Sequence, residues 1–192
     1  AIVDAGFLVQ LDDARLAVTY DRMVPPASKE DYRKWAGKLV AVMNHALDGI
    51  PEDRVRYHVC WGSWPGPHST DVPLADIVDI VFMAKPQAIS LEGANPRHAH
   101  EYTVFDTVKL PDGKVLIPGA LESKSNFIEH PELIAQRIGR YAERVGRDAD
   151  AVLAERVEDH RVGAEPFAQH VGVGHEHAVE VDQAGLRGPD AF

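Results

Sequence analysis

Apolar and polar positions alternate in blocks along the chain, and the blocks read as strands and helices in turn. Phe7-Leu8-Val9-Gln10-Leu11 is a short apolar run that stops at Asp12-Asp13, the pattern of a strand. A helix is predicted from Ser28, whose hydroxyl can cap it with Asp31 three positions on. Tyr32, Trp35, Leu39, Val42 and Met43 recur at helical spacing and predict one buried face. Val55 to Cys60 reads as the second strand, followed by a loop rich in glycine, proline and tryptophan. A helix carrying Leu74, Ile77, Val78 and Val81 starts near Pro73. Ala88 to Leu91 is the third strand, ending at Glu92-Gly93. A long polar loop then runs through Asn95, Pro96, Arg97 and His98, with no clear helix before the turn at Pro111-Asp112-Gly113. Val115 to Leu121 is the fourth strand. The last helix runs from about Pro131 to Val145, with Ile134, Ile138 and Tyr141 as its stripe and Gly146 as its stop.

Strands alternating with helices imply an α/β fold with a parallel sheet, because parallel neighbours need a crossover connection. Asp12, His58 with Cys60, Glu92 and Glu122 all fall at the C-terminal end of their own strand. In a (β/α)8 barrel that end carries the active site, and such barrels typically run to about 250 residues. The expected fold is therefore a partial TIM barrel, its C-terminal half, over residues 1–147. A doubly wound open sheet is the rival, since it also places ligands at the carboxyl ends of its strands. No Gly-x-Gly-x-x-Gly fingerprint supports it. An open partial barrel would leave the Phe7–Leu11 edge unpaired and turn interior apolar positions to water, so self-association is expected.

Composition adds several exclusions. The 192 residues suffice for one domain, and no run approaches a membrane span. The first residues lack the basic region of a signal peptide. The absence of an initial methionine, with a strand-like run so close to the start, reads as a fragment. Thirty acidic against 20 basic residues give a net charge of −10, and no basic patch exists to neutralise phosphates, so nucleic acid is not an expected partner. The single cysteine forbids an internal disulfide and points to a reducing compartment, the cytoplasm. From Asp148 to Phe192 there is no Lys, Ile, Ser, Thr, Asn, Tyr, Trp, Met or Cys. That vocabulary suits a GC-rich gene read out of frame; an acidic, partly disordered natural tail is the alternative.

His58-Val59-Cys60 carries the chemistry. Side chains at i and i+2 of a strand share a face, so imidazole and thiol can converge, and Glu92 ends the next strand. All three are zinc ligand types. Spacing alone is weak evidence, because a lone buried cysteine usually behaves as a small apolar residue. His98 and His100 read as solvated loop residues, with substrate contact as the second reading. Trp61 and Trp64 either wall a pocket or pack against the sheet rim. His170 and His175-Glu176-His177 form a histidine-rich tract in the tail.

The wider motifs sharpen this. Tyr57-His58-Val59-Cys60-Trp61-Gly62-Ser63-Trp64-Pro65-Gly66-Pro67-His68, then Ser90-Leu91-Glu92-Gly93-Ala94-Asn95-Pro96-Arg97-His98, then Ile117 to Asn126 resemble the cobalamin-independent methionine synthase family. The resemblance is to its shorter, single-barrel members, which include epoxyalkane:coenzyme M transferases, and it covers residues 1 to about 147. It implies Zn2+ held by His58, Cys60 and Glu92. It places Asp12 where methionine synthases hold the homocysteine amino group, and Glu122 where they carry an aspartate near a catalytic histidine. Lys124 stands near that histidine's position, so Glu122 and Lys124 are the candidate catalytic pair. The implied activity is methyl transfer from 5-methyltetrahydrofolate to homocysteine thiolate, with epoxide transfer to coenzyme M, or a truncated non-catalytic remnant, as alternatives. The implied fourth ligand is a cysteine after the last barrel strand. This sequence has no second cysteine, and the strand would begin just after Arg147.

Overall fold

Local sequence rules place the helices. In the computed structural model, which describes residues 1–20, 27–63, 67–122 and 124–146, helix α1 spans Lys29–Ala46. The Ser28 hydroxyl accepts from the Asp31 N–H at 3.1 Å and donates to the Asp31 carboxylate at 2.7 Å. The buried column of α1 is Tyr32, Ala36 and Val40 at i, i+4 and i+8. Val42, expected on the buried stripe, is 67% exposed. The small Ala36 lies fully buried in the core instead, and Trp35 and Met43 flank that column, partly buried. A 3-10 turn at Leu74–Asp76 precedes helix α2, Val78–Phe82, where one continuous helix was expected. Helix α3, Pro131–Val145, takes proline at its start and ends on Gly146 at φ 97°.

The strands are β1 (Val9–Asp13), β2 (Val55–Val59), β3 (Ala88–Ser90) and β4 (Val115–Ile117), all parallel, in the order 1-2-3-4. Strands β2 and β3 each end one residue earlier than the sequence reading, and β1 and β4 differ more. Strand β1 begins at Val9, leaving Phe7 and Leu8 exposed, and runs through the aspartates read as its stop. Asp13 fits there because its carboxylate accepts from the Tyr57 hydroxyl at 2.8 Å and from the N–H groups of Arg15 and Leu16 at 3.0 and 2.9 Å. Strand β4 stops at Ile117, because Pro118 has no N–H for the ladder and Gly119 turns to φ +63°. The loop expected to lack helix carries a 3-10 segment, Glu101–Asp106, anchored by the buried Glu101 and Phe105.

A monotonic strand order with right-handed crossovers puts every connection on one face of the sheet. Tyr57, Ile89 and Leu116 stand level in the register on that face, in one core with Tyr32, Val40, Ile77 and Val81. This α/β arrangement is compatible with a stretch of barrel wall; a doubly wound sheet reverses its order at a switch point, and the described strands do not. The opposite face is polar, carrying Gln10, Asp12, Arg56, His58 and Ser90. Its apolar members Val115 and Ile117 are only 7% and 4% exposed, so these two positions are not turned to water. Exposed apolar side chains lie instead at Phe7, Leu8, Phe127 and Ile128. The tail reading from 148 to 192, its histidine tract and Trp64 fall outside the described residues.

Candidate metal centre

Parallel register assembles the site. Asp12, His58 and Ser90 pair across three neighbouring strands at one level. Cys60 follows two residues after His58, its N–H bonded to the Asp13 carbonyl at 3.2 Å. Ligand atoms of Asp12, His58 and Cys60 all lie within 4.8 Å of one another. Glu92 Oε1 stands 3.9 Å from His58 Nε2. His58, Cys60 and Glu92, read from the sequence as one ligand set, thus lie near one another, and Asp12, read as a substrate contact, lies beside His58 and Cys60.

Each donor is oriented by a second contact. His58 Nδ1 lies 3.1 Å from the Ser90 hydroxyl. A proton donated from Nδ1 to Ser90 leaves the Nε2 lone pair facing the site. The Gly62 N–H donates to Cys60 Sγ at 3.1 Å, from a turn at φ +78° that favours glycine. Glu92 Oε2 accepts from Asn95 Nδ2 at 2.9 Å and from Lys124 Nζ at 2.6 Å.

A half-buried thiol here stands beside two carboxylates. Burial pushes the Cys60 thiol up to about 11, and the carboxylates of Glu92 and Asp12 add to the rise against the Gly62 N–H. Burial also raises Glu92, yet Lys124 and Asn95 outweigh it and hold the carboxyl below its ordinary value. A cation among these donors would relieve the thiol's surroundings, and imidazole, thiolate and carboxylate are a fitting donor set for zinc.

The remaining expected residues are one step removed. Lys124 closes an ion pair on Glu92. Glu122 accepts from the Lys124 N–H at 2.6 Å, and its own N–H is bonded to Glu129 at 2.8 Å. Arg137 of α3 holds Glu129 at 2.6 Å and the Ala120 carbonyl at 2.9 Å. His98, read as a solvated loop residue, is 5% exposed, a correction; His100 is exposed as expected. Trp61 packs in the core at 1% exposure, its indole N–H donated to the Val72 carbonyl at 2.9 Å. Ser90, Gly62 and Asn95 were missed, because hydroxyl, glycine and amide residues carry no pattern until the register sets them beside a ligand.

Fold and site together define an α/β protein with a cluster of metal-type donors at the C-terminal ends of adjacent parallel strands. The chain is 25% identical, over a 150-residue alignment, to 2-hydroxypropyl-CoM lyase of Xanthobacter autotrophicus (strain ATCC BAA-1158 / Py2). The match spans 65% of this chain and 39% of that enzyme's length. It is a distant likeness and supports the motif resemblance only loosely. No protein-family model matches the chain, and no solved structure matches it. Among the described residues no helix is long and apolar enough to cross a membrane.

Proposed function

We propose that this chain is part of a zinc-dependent thiol alkyltransferase built on barrel-type α/β architecture, acting in the cytoplasm on a small-molecule thiol. The observation that carries this is the convergence of Asp12, His58 and Cys60 within 4.8 Å, with Glu92 3.9 Å from the imidazole. His58, Cys60 and Glu92 would hold the ion by family resemblance, and Asp12, close to His58 and Cys60, would serve as either a ligand or the anchor of a substrate ammonium. Bound zinc supplies Lewis acidity that favours the thiolate form of a coordinated substrate thiol. Ser90 fixes the imidazole, the Gly62 N–H steadies the sulfur, and Asn95 with Lys124 fixes the carboxylate. Lys124, with Glu122 holding its backbone, is placed to supply positive charge or a proton beside Glu92 as the leaving group departs.

Two substrate pairs fit. The motifs point to homocysteine with a methyl-folate. The relative's name favours the second pair, coenzyme M with an epoxide, because both ends of that reaction meet in a 2-hydroxyalkyl thioether. With one cysteine in the sequence, this chain offers one thiolate, so zinc binding is expected to be weak and thiol alkylation by the chain alone below detection. That also describes a metal-binding remnant, and a chain supplemented with the remaining strands and a second cysteine separates the readings by regaining turnover. The direct test is an equilibrium zinc titration. Wild type should bind zinc weakly and Cys60→Ser should bind it more weakly still; unchanged affinity in Cys60→Ser overturns this site. In the supplemented chain, product only from coenzyme M and epoxide would decide against the methionine reading.

A further inference from the structure

The loops that follow β2 and β3 carry two of the metal-type donors, Cys60 and Glu92, each two residues beyond the His58–Ser90 register pair. Past that last rung, a buried side-chain cluster ties the two loops together. The His98 ring lies between two carboxylates: Nε2 is 3.0 Å from Asp71 Oδ2 in the loop after β2, and Nδ1 is 3.1 Å from Glu101 Oε2 in the segment after β3. Glu101 returns across the same gap, its other oxygen accepting from the Leu74 N–H at 3.0 Å. His98, Asp71 and Glu101 side chains are 5, 8 and 7% exposed. Asp71 also meets His68 Nδ1 at 2.9 Å.

The cluster touches the backbone neighbours of both donors. Trp61, next to Cys60, lies against the His98 ring with centroids 4.7 Å apart. On the other side, the His98 N–H donates to the Asn95 carbonyl at 2.8 Å, and Asn95 holds Glu92 through its side chain and its own N–H. A continuous path of packed and hydrogen-bonded groups thus runs Cys60, Trp61, His98, Asn95, Glu92. Contacts at both ring nitrogens, from opposite sides, fix the plane of the His98 ring.

We propose that His98 is a positioning residue for the metal centre: clamped between Asp71 and Glu101, it locks the loop after β2 to the loop after β3 and thereby fixes Cys60 relative to Glu92. It touches no metal-type donor itself, and groups that hold ligands in place cost about 10–100-fold in metal affinity when removed. The inference rests on the zinc reading above, and the experiment separates the two.

The probes are zinc alone and cobalt(II) alone, added to the full chain. His98→Gln retains one donor, and the cavity of about 260 Å³ beside the ring gives the longer amide room. Ser28→Ala serves as the purely structural control, because it removes a helix cap elsewhere in the chain. At a temperature where all variants are folded by circular dichroism, His98→Gln should weaken zinc by about tenfold or more. It should also reduce the cobalt–thiolate absorption band, while Ser28→Ala leaves both as in wild type. If His98→Gln does not fold, Asp71→Asn, which keeps the shape and removes the charge facing the ring, should show the same pair of changes. Wild-type affinity and band in the folded variant overturn the role of His98 and leave the metal site standing. Failure of wild type to take up either metal overturns the metal reading itself.

Discussion

Gly119→Ala should be among the most damaging single methyl additions in this chain. Gly119 has φ +63°, and a Cβ built there would sit 2.0 Å from the Leu91 carbonyl oxygen and 3.3 Å from Glu92 Cα. Even close carbon–oxygen contacts run at about 3.3 Å, so the two backbones must part by more than about 1 Å. Three hydrogen bonds stitch them together: Leu91 N–H to Ile117 at 2.9 Å, Gly93 N–H to Pro118 at 2.7 Å and Ala94 N–H to Gly119 at 2.8 Å. Left-handed backbone costs a residue with a Cβ about 1–2 kcal/mol. Losing two of the three hydrogen bonds adds about 1–3 kcal/mol. The expected loss is about 2–5 kcal/mol, large against a typical domain stability of about 5–15 kcal/mol. Gly113→Ala is the internal control, since Gly113 has φ +78° and nothing within 4 Å, and should cost only the backbone part. Urea unfolding followed by circular dichroism measures both. Equal losses for the two variants would refute the argument that a backbone contact, rather than φ alone, demands glycine at 119. The displacement also reaches Glu92, so folded Gly119→Ala protein should bind zinc more weakly than wild type.

Gly37 and Gly139 lie inside α1 and α3 with open space where a Cβ would go, so each alanine replacement should stabilise by up to about 1 kcal/mol in the same assay; a loss at either would show an unrecognised constraint. Lys114 Nζ donates to the carbonyls of Ala84, Lys85 and Pro86 at 2.6, 3.1 and 2.7 Å, and Lys114→Met should cost about 2–4 kcal/mol by stranding them; a loss under about 1 kcal/mol would mean water replaces the ammonium. The Arg33 guanidinium hydrogen-bonds Asp79 and holds its carboxyl below the ordinary value. A lowered folded value means the stabilisation is complete above the unfolded carboxyl pKa, about 4, and is lost as pH falls through the folded value. Asp79 is 61% exposed, so screening keeps the effect under about 1 kcal/mol. Asp79→Asn should therefore be less stable than wild type at pH 7 and equal to it at pH 2; the same gap at both would rule out the ion pair as its source.

Much of the architecture was legible because it depends on near neighbours in the chain. The Ser28–Asp31 cap, the α3 stripe ending at Gly146 and the alternation of buried and half-buried residues in β2 each follow from groups within about one helical turn or one strand pleat. The i, i+2 spacing of His58 and Cys60 belongs to the same class. Where the sequence reading departed from the structure, a distant partner had decided the matter. Asp13 stays in β1 because Tyr57 donates to it from the next strand, and no local rule contains that bond. Val42 is exposed although it fits a helical stripe, because the column that meets the sheet runs through Ala36. His98 is buried in a polar loop because Asp71 and Glu101 flank its ring, and Asp71 lies 27 positions away. Asp12 joins the donors only through the β1–β2 register, where a one-residue slip would turn its side chain to the opposite face. Periodicity and caps thus determined which elements form and which donor types lie at their ends. Strand register and loop-to-loop hydrogen bonds determined which of those groups meet, because that depends on contacts between residues far apart in the chain.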